Sequence, residues 1–477
     1  MKKHRNRTKI IATIGPSSIS IEILERMIKS GVNVCRINAS HGDHKMHKEI
    51  IDNVRKLNKK LDAHVALLYD LQGPKLRIGD VKNNSVILEE NEKVELTIKE
   101  CLSDNKRIYI KYPSFHNDVQ VGDTVLIDDG KIELLTIKKN KSDSVIAKVI
   151  HGGLLSSKKG VNLPYTKISL SSLGEKDKND LAFALKNEVE WIGLSFVRKA
   201  DDVTELKNII KKNGRRTRVI AKIEKPEALR DIDDIIAATD GIMVARGDLG
   251  VEIAMEKVPL IQKMLVKKCT VASKPVIIAT QMMETMITNY RPTRAETNDV
   301  ANAVFDGADA LMLSGETSVG AYPVKVVEAM HKIISMSEGE DNIYNRHIFP
   351  MKHSPSFISD SICYNACMMS EQSGAKAIIA MTRSGYTAFK ISSQRPHARI
   401  YIFTDNKALL NTLSLIWGVE GFFYDKYIST DVTISDIKSF LSENGYLKKD
   451  DIAINVASTP LKARGTSNMI KLSVIDQ

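Results

Sequence analysis

The residues whose types and spacing point most directly to chemistry are Lys222, Glu224 and Asp248. Val219 to Ile223 is a short apolar run broken by Lys222 and followed at once by Glu224. Pro226 stops the run from continuing as an inner strand, because proline has no N–H for the ladder. Lys222 and Glu224 are two residues apart, so strand alternation puts them on one side. A second apolar run, Gly241 to Ala245, leads straight into Arg246-Gly247-Asp248. Two strands ending in charged groups and joined by a helical segment form a βαβ unit, with its chemistry at the strand C-termini, where α/β proteins bind ligands. There Glu224 and Asp248 can converge on one hard cation through oxygen ligands, with Lys222 beside it. The plainer alternative is a buried Lys–Glu pair that only packs. Each such charge costs several kcal/mol to desolvate, which makes a strand interior a poor place for it.

Bringing strand ends together requires a scaffold. Apolar runs of strand length begin near residues 8, 33, 64, 191, 218, 241, 275 and 310, with helical periodicity between them. That is the strand count of a closed (β/α)8 TIM barrel. Polar residues gather where the runs end: Arg36, Asn38 and Ser40; Asp70 to Arg77; Thr280-Gln281-Met282; Ser314-Gly315-Glu316-Thr317. From 78 to about 159 the helical rhythm gives way to short alternating segments, and Asp129-Gly130 is a hairpin signal between two of them. The α/β rhythm resumes at Val161-Asn162-Leu163-Pro164. After a polar, proline-containing linker at 341–355 it restarts as a smaller open α/β unit. The expected domains are barrel, first part, 1–76; an inserted β-barrel module, 77–160; barrel, second part, 161–340; and a C-terminal α/β domain, 341–477. His41, His44 and His47 follow the second run, but their spacing drifts around a helix and no HExxH pattern is completed. They are expected to face solvent.

A chain of 477 residues exceeds one ordinary domain, and 43% hydrophobic content suffices for real cores. No apolar run approaches the ~18 residues of a membrane span. The apolar piece after the basic start, Ile10 to Ile14, is too short for a secretory leader, so a cytoplasmic protein is expected. Five scattered cysteines without a Cys-x-x-Cys pair argue against disulfide or zinc roles. The net charge of +11 is dispersed, with few aromatics between the lysines. It suits anionic small molecules rather than nucleic acid.

The sequence resembles the pyruvate kinase family along its full length. The most specific block is Val219-Ile220-Ala221-Lys222-Ile223-Glu224-Lys225. Thr13-Ile14-Gly15-Pro16, Arg36-Ile37-Asn38-Ala39-Ser40-His41-Gly42, Lys159-Gly160-Val161-Asn162-Leu163-Pro164, Met243-Val244-Ala245-Arg246-Gly247-Asp248, Ala279-Thr280-Gln281-Met282, Arg291-Pro292-Thr293-Arg294-Ala295-Glu296 and Leu313-Ser314-Gly315-Glu316-Thr317 fall in the family's order. The resemblance implies a barrel, an inserted lid and a C-terminal regulatory domain. It implies phosphoryl transfer from phosphoenolpyruvate to ADP, giving pyruvate and ATP. Glu224 and Asp248 would then hold Mg²⁺ (or Mn²⁺), and Lys222 and Arg36 would act on the moving phosphoryl group. The N–H groups of Gly247 and Asp248, with the Thr280 hydroxyl, would receive the substrate carboxylate. Thr280 and Ser314 are candidates to relay a proton to the enolate. No GxxxxGK[ST] loop is present, so Asn38, Ser40, His41, Arg77 and Lys159 are expected around the nucleotide. The insert is expected to close over the site and exclude water.

One departure from the family pattern concerns a monovalent-cation site formed by Asn38, Ser40, Asp70 and residue 71. Potassium-requiring members have threonine where this chain has Leu71 and glutamate where it has Lys75. The Lys75 ammonium can supply that charge, which makes K⁺ possible but not required; the alternative is a lysine turned to solvent. The segment Thr382, Arg383, Ser384, Gly385, Tyr386, Thr387, aided by Lys462 and Arg464, matches the place where family members bind phosphorylated effectors. The family also suggests a homotetramer with 291–296 at a contact. Two rivals are another barrel enzyme acting on phosphoenolpyruvate or pyruvate, and a catalytically silent protein that binds sugar phosphates.

Overall fold

Short strands that are apolar along their whole length need cover on both faces, which a parallel sheet wrapped by helices provides. The computed structural model describes residues 6–140, 143–164, 166–426, 429–459 and 467–476. It closes β1 (Lys9–Thr13), β2 (Val32–Asn38), β3 (Ala66–Asp70), β4 (Trp191–Leu194), β5 (Arg218–Ile223), β6 (Gly241–Ala245), β7 (Val276–Ala279) and β8 (Ala310–Leu313) into one parallel barrel. Closure is made by β1 against β8, with Lys9 opposite Ala310. Ser20 caps the helix Ile21–Ser30: its Oγ accepts from the Ile23 N–H at 3.4 Å. His47 departs from expectation. It is only 2% exposed, on the inward face of helix His44–Leu61, with ring nitrogens 2.8 Å from both Tyr69 Oη and the His41 carbonyl. A helix covering a barrel must bury one stripe, and His47 shares that stripe with Ile50, Ile51 and Val54. His44 is half-exposed and pairs with Asp180 at 2.7 Å.

The insert after β3 has a core of its own, from Leu76 through Phe115 to Leu163. Instead of a barrel, its described strands form a six-stranded sheet and a separate two-stranded ribbon, Ser85–Leu88 with Gly153–Ser156. Asp128, Asp129 and Gly130 all take positive φ in the turn joining Thr124–Ile127 to Ile132–Lys139. Val161–Asn162 pairs with Leu126–Ile127, so this sheet extends past residue 160, where the barrel was expected to resume.

In the C-terminal domain β9 (Ala377–Met381), β10 (Arg399–Thr404), β11 (Val419–Phe423), β12 (Ile452–Ala457) and β13 (Met469–Val474) form a sheet in the order β11-β10-β9-β12-β13, with β13 antiparallel at the edge. Buried Arg395 ties this domain to the barrel. Its guanidinium lies 3.0 Å from Asp309 Oδ2, donates to the Gly307 carbonyl at 2.8 Å and stacks 4.8 Å from Trp417. Arg395→Ala would strand Asp309 inside the interface. We expect a stability loss of about 3–5 kcal/mol, read as a lower midpoint of thermal unfolding.

Candidate active site at the barrel mouth

Side chains at the C-terminal ends of β2 to β6 converge on a cluster of charges centred on Lys222. Its ammonium donates to Ser195 Oγ at 2.7 Å and lies 3.0 Å from Glu224 Oε1 and 3.3 Å from Asp70 Oδ1. The three donors of an ammonium are thereby directed. Burial alone would pull its pKa down, but Asp70 and Glu224 outweigh that and raise it. Asp70 shows the converse: burial favours its neutral form, yet Lys222 and Arg36 hold its pKa below the usual carboxylate range. Gly193 makes this packing possible, since a Cβ there would meet Asp70 Oδ1 at 2.7 Å.

Arg36 is held flat against the barrel. Its Nε donates to Asp70 Oδ2 at 2.8 Å and its Nη1 to Thr13 Oγ1 at 3.0 Å. Glu224, 1% exposed, accepts from the Phe196 N–H at 2.7 Å, and Phe196 takes φ +54° to present it. Burial first, then the repulsion of Asp248, raises the Glu224 pKa above the normal range despite Lys222. Two carboxylates that repel each other through space are what one divalent cation relieves. Among the described residues no group of three or more His, Cys, Asp or Glu side chains gathers as a metal cage. A pair of carboxylates open to further oxygens suits Mg²⁺, which keeps water and substrate ligands.

Asp248 lies in the helix Arg246–Glu252 that starts directly from β6. Its Oδ1 is 3.4 Å from the Lys75 ammonium, and both side chains are 28% exposed. Lys75 therefore turns neither to solvent nor into an ion pair with Asp70; it sits against the expected divalent-ion ligand. Thr280 Oγ1 accepts the Gly247 N–H at 2.7 Å, so hydroxyl and amide are already paired where a carboxylate was expected to meet both. Thr280 and Gln281 take φ +68° and +53°. A β-branched residue pays conformational strain there, and such strain collects at working sites. Arg246 braces the turn: it donates to the Thr280 carbonyl at 2.8 Å and grips Asp299 with two 2.7 Å bonds.

Asn38 Oδ1 accepts the Ser40 N–H at 3.1 Å, and Asn38 Nδ2 is 3.2 Å from His41 Nδ1. Burial, then Arg36, Arg77 and Lys75, depress the His41 pKa, which marks a cation-rich zone suited to phosphates. Arg77 bridges to Gly160 at the root of the insert and donates to the Lys158 carbonyl at 3.0 Å. Lys159 is engaged within the insert, 2.8 Å from Asp128. Leu71 is buried, and its carbonyl accepts from Ser195 Oγ at 2.7 Å. In the 382–387 loop Thr382 Oγ1 accepts the Gly385 N–H at 3.1 Å and Ser384 Oγ that of Tyr386 at 3.3 Å. Arg383 pairs with Asp405 at 3.0 Å, and Thr387 Oγ1 meets Ser467 Oγ at 2.9 Å. Lys462 and Arg464 lie outside the described residues.

Three features escaped the sequence reading. Ser195, at the end of β4, orients Lys222; a hydroxyl just past a barrel strand was its available signal. Glu316 is buried and accepts the Ser314 N–H at 2.6 Å, and burial raises its pKa, so it is the nearest acid to Ser314's backbone among these contacts. Glu252 joins Lys225 at 2.5 Å and Asn162 at 2.8 Å, which fastens the insert's last strand to the helix bearing Asp248.

Comparison with known proteins gives one consistent result. Residues 5–327 match the family described as pyruvate kinase, barrel domain, and residues 360–473 match pyruvate kinase, alpha/beta domain. A pyruvate kinase of Clostridium acetobutylicum is 41% identical over 473 residues, covering 98% of this chain and 100% of the relative. One from Geobacillus stearothermophilus is 40% identical, covering 99% of this chain and 81% of the relative. The crystal structure of a pyruvate kinase from Cryptosporidium parvum superposes with a TM-score of 0.93 at 34% identity, covering 98% of this chain and 96% of that one.

Proposed function

Because this chain belongs to the pyruvate kinase family, we propose that it transfers the phosphoryl group of phosphoenolpyruvate to ADP, giving pyruvate and ATP. The observation that best supports this is the Lys222 ammonium, directed by Ser195, Asp70 and Glu224 at the barrel mouth beside the Asp248 carboxylate. Glu224 and Asp248 would hold Mg²⁺ or Mn²⁺; bound there, the ion neutralises and orients the oxygens of the phosphoryl and enolate groups.

The side chains supply the rest. Lys222 and Arg36 stabilise the charge that spreads over the phosphoryl oxygens in transit, which is most of what this reaction asks of a protein. Arg246 fixes the Thr280 turn, and the carboxylate is received at the helix start by the Asp248 N–H and, once the Gly247–Thr280 hydrogen bond opens, by the Gly247 N–H and the Thr280 hydroxyl. Asn38, Ser40, His41, Arg77 and Lys159 take the nucleotide, the last two as the insert closes and excludes water. Thr280 and Ser314 carry a proton to the enolate, and Glu316, with its raised pKa, is the better reservoir behind them.

Lys75 makes the reaction independent of K⁺. Its support is the ammonium inside the site and the apolar Leu71 at the place of a family hydroxyl. With Asp248 engaged as a divalent-ion ligand, the Lys75 ammonium would leave it by like-charge repulsion and turn toward the oxygens of Asn38, Ser40 and Asp70. The test is pyruvate formation from phosphoenolpyruvate, ADP and Mg²⁺ with and without K⁺. Equal rates are expected, and Lys75→Glu should make activity depend on K⁺, roughly 100-fold or more, matching the few kcal/mol of one charge. No pyruvate in either buffer would discard the enzyme assignment in favour of a silent sugar-phosphate binder; a K⁺ requirement in the unaltered protein would remove the Lys75 role alone.

The 382–387 loop is the proposed effector site. Its hydroxyls and the helix start at Tyr386 support the reading, and loss of sugar-phosphate activation in Thr382→Val would check it. Homotetramer assembly, checked by sedimentation, completes the proposal. No helix among the described residues is long and apolar enough to cross a membrane.

A further inference from the structure

Behind the barrel, at the N-terminal ends of β5 to β7, a cleft of about 320 Å³ separates the barrel from the C-terminal domain. That volume suits a compact metabolite. Arg218, Asp240, Ser273 and Lys274 line it from the barrel, and Ser384, Tyr386, Phe389 and Lys390 from the other side. A neighbouring recess under Thr270 and Ser392 offers only about 10 Å³, room for a single water.

The charges in the cleft are unbalanced. Lys207 engages Asp240 at 3.0 Å and Lys390 engages Asp360 at 3.2 Å, which uses the nearby carboxylates. Arg218 is left 3.9 Å from Asp240, stacks 4.5 Å over Phe389 and donates to the Ser384 carbonyl at 3.2 Å. Lys274 donates to the neutral Thr239 carbonyl at 2.6 Å, and among the described residues it has no carboxylate within ion-pair distance. Burial lowers the pKa of both Arg218 and Lys274, and Asp240 only partly offsets it. Two half-buried cations with one shared acid, walled by hydroxyls and an aromatic ring, match a group carrying about two negative charges, as a phosphate monoester does near neutral pH.

We propose that this cleft binds a small phosphate-bearing metabolite through Arg218, Lys274 and Lys390, on the barrel side of the 382–387 loop, with Ser384 and Tyr386 of that loop in its wall and Thr382, Arg383 and Thr387 outside it. The site does not depend on the effector reading of the loop. Its occupant touches the first residue of β5, the strand that carries Lys222 at its far end, and so spans both domains.

Equilibrium dialysis with inorganic phosphate on the full chain tests this. We expect a saturable class of sites that weakens about tenfold in Lys274→Gln, recovers in Lys274→Arg and persists in Arg383→Gln, whose side chain engages Asp405 instead. Thermal unfolding would check the fold of each variant; if Lys274→Gln does not fold, Lys390→Gln should weaken the same class severalfold. Phosphate binding that ignores both Lys274→Gln and Lys390→Gln, that disappears only in Arg383→Gln, or that never saturates would overturn the proposal.

Discussion

Lys222→Gln should lower kcat by about 10³-fold while leaving the KM for phosphoenolpyruvate within a few-fold. An ammonium that matters only as charge moves is lost from the transition state and not from the ground state, so kcat and kcat/KM fall together. The cluster geometry sharpens this expectation. Lys222 is aimed by Ser195, Asp70 and Glu224, so its charge is in place before substrate arrives. The direction of the ionisations fixes the pH range. Asp70, whose pKa is lowered, contributes stability that is present above its unfolded value and lost as pH falls through the lowered one. Lys222, whose pKa is raised, contributes stability present below the ordinary lysine value and lost as pH rises through the raised one. Asp70 and Lys222 therefore both stay charged through neutrality, and the part of the kcat deficit that rests on this pair should be the same at pH ~6 and ~8. A deficit below tenfold at both would show that Lys222 only packs.

Glu224→Gln should weaken Mn²⁺ or Mg²⁺ binding by about 10³-fold, the equivalent of ~4 kcal/mol, measured by calorimetry or by the paramagnetic signal of Mn²⁺. Glutamine is nearly isosteric and can still accept the Phe196 N–H, so unfolding temperature and circular dichroism should hold. It also removes a buried carboxylate whose pKa is raised, first by burial and then by the repulsion of Asp248, which offsets the loss of its ion pair with Lys222 in the metal-free protein. Activity should fall with metal affinity and return in part at very high Mn²⁺. Unchanged metal binding would move the divalent ion to a different pair of oxygens.

The barrel and its polar strand ends were legible because both follow from local pattern: strand-length apolar runs, the alternation of sides along a strand, and charges where the runs stop. Lys222 and Glu224 share a side for that reason alone. What failed depended on partners distant in sequence. Lys75 is one residue of a loop, and nothing local says that Asp248, in another element, will draw it. His47 reads as one of three polar histidines until the helix is set on the barrel and Tyr69 comes within reach. In the C-terminal domain, β11 is broken by Glu420 and Gly421 and β13 carries Lys471 and Ser473 to an exposed edge, so neither reads as a buried strand. The insert was recognised as all-β, but its open six-stranded sheet and the membership of Val161–Asn162 depend on pairings that alternation cannot choose.

The contact of β1 with β8 sets a timetable for synthesis. Lys9 finds its partner at Ala310, about 300 residues later, which at ribosomal speeds is a wait of roughly 15–60 s. During that time the first strand has one flank without a neighbour, and the ring cannot close. The insert, whose core ends at Leu163, emerges whole well before then. A nascent chain thus carries a finished appendage on three strands still waiting for their enclosure, and its greatest exposure to mispairing falls in the middle of translation.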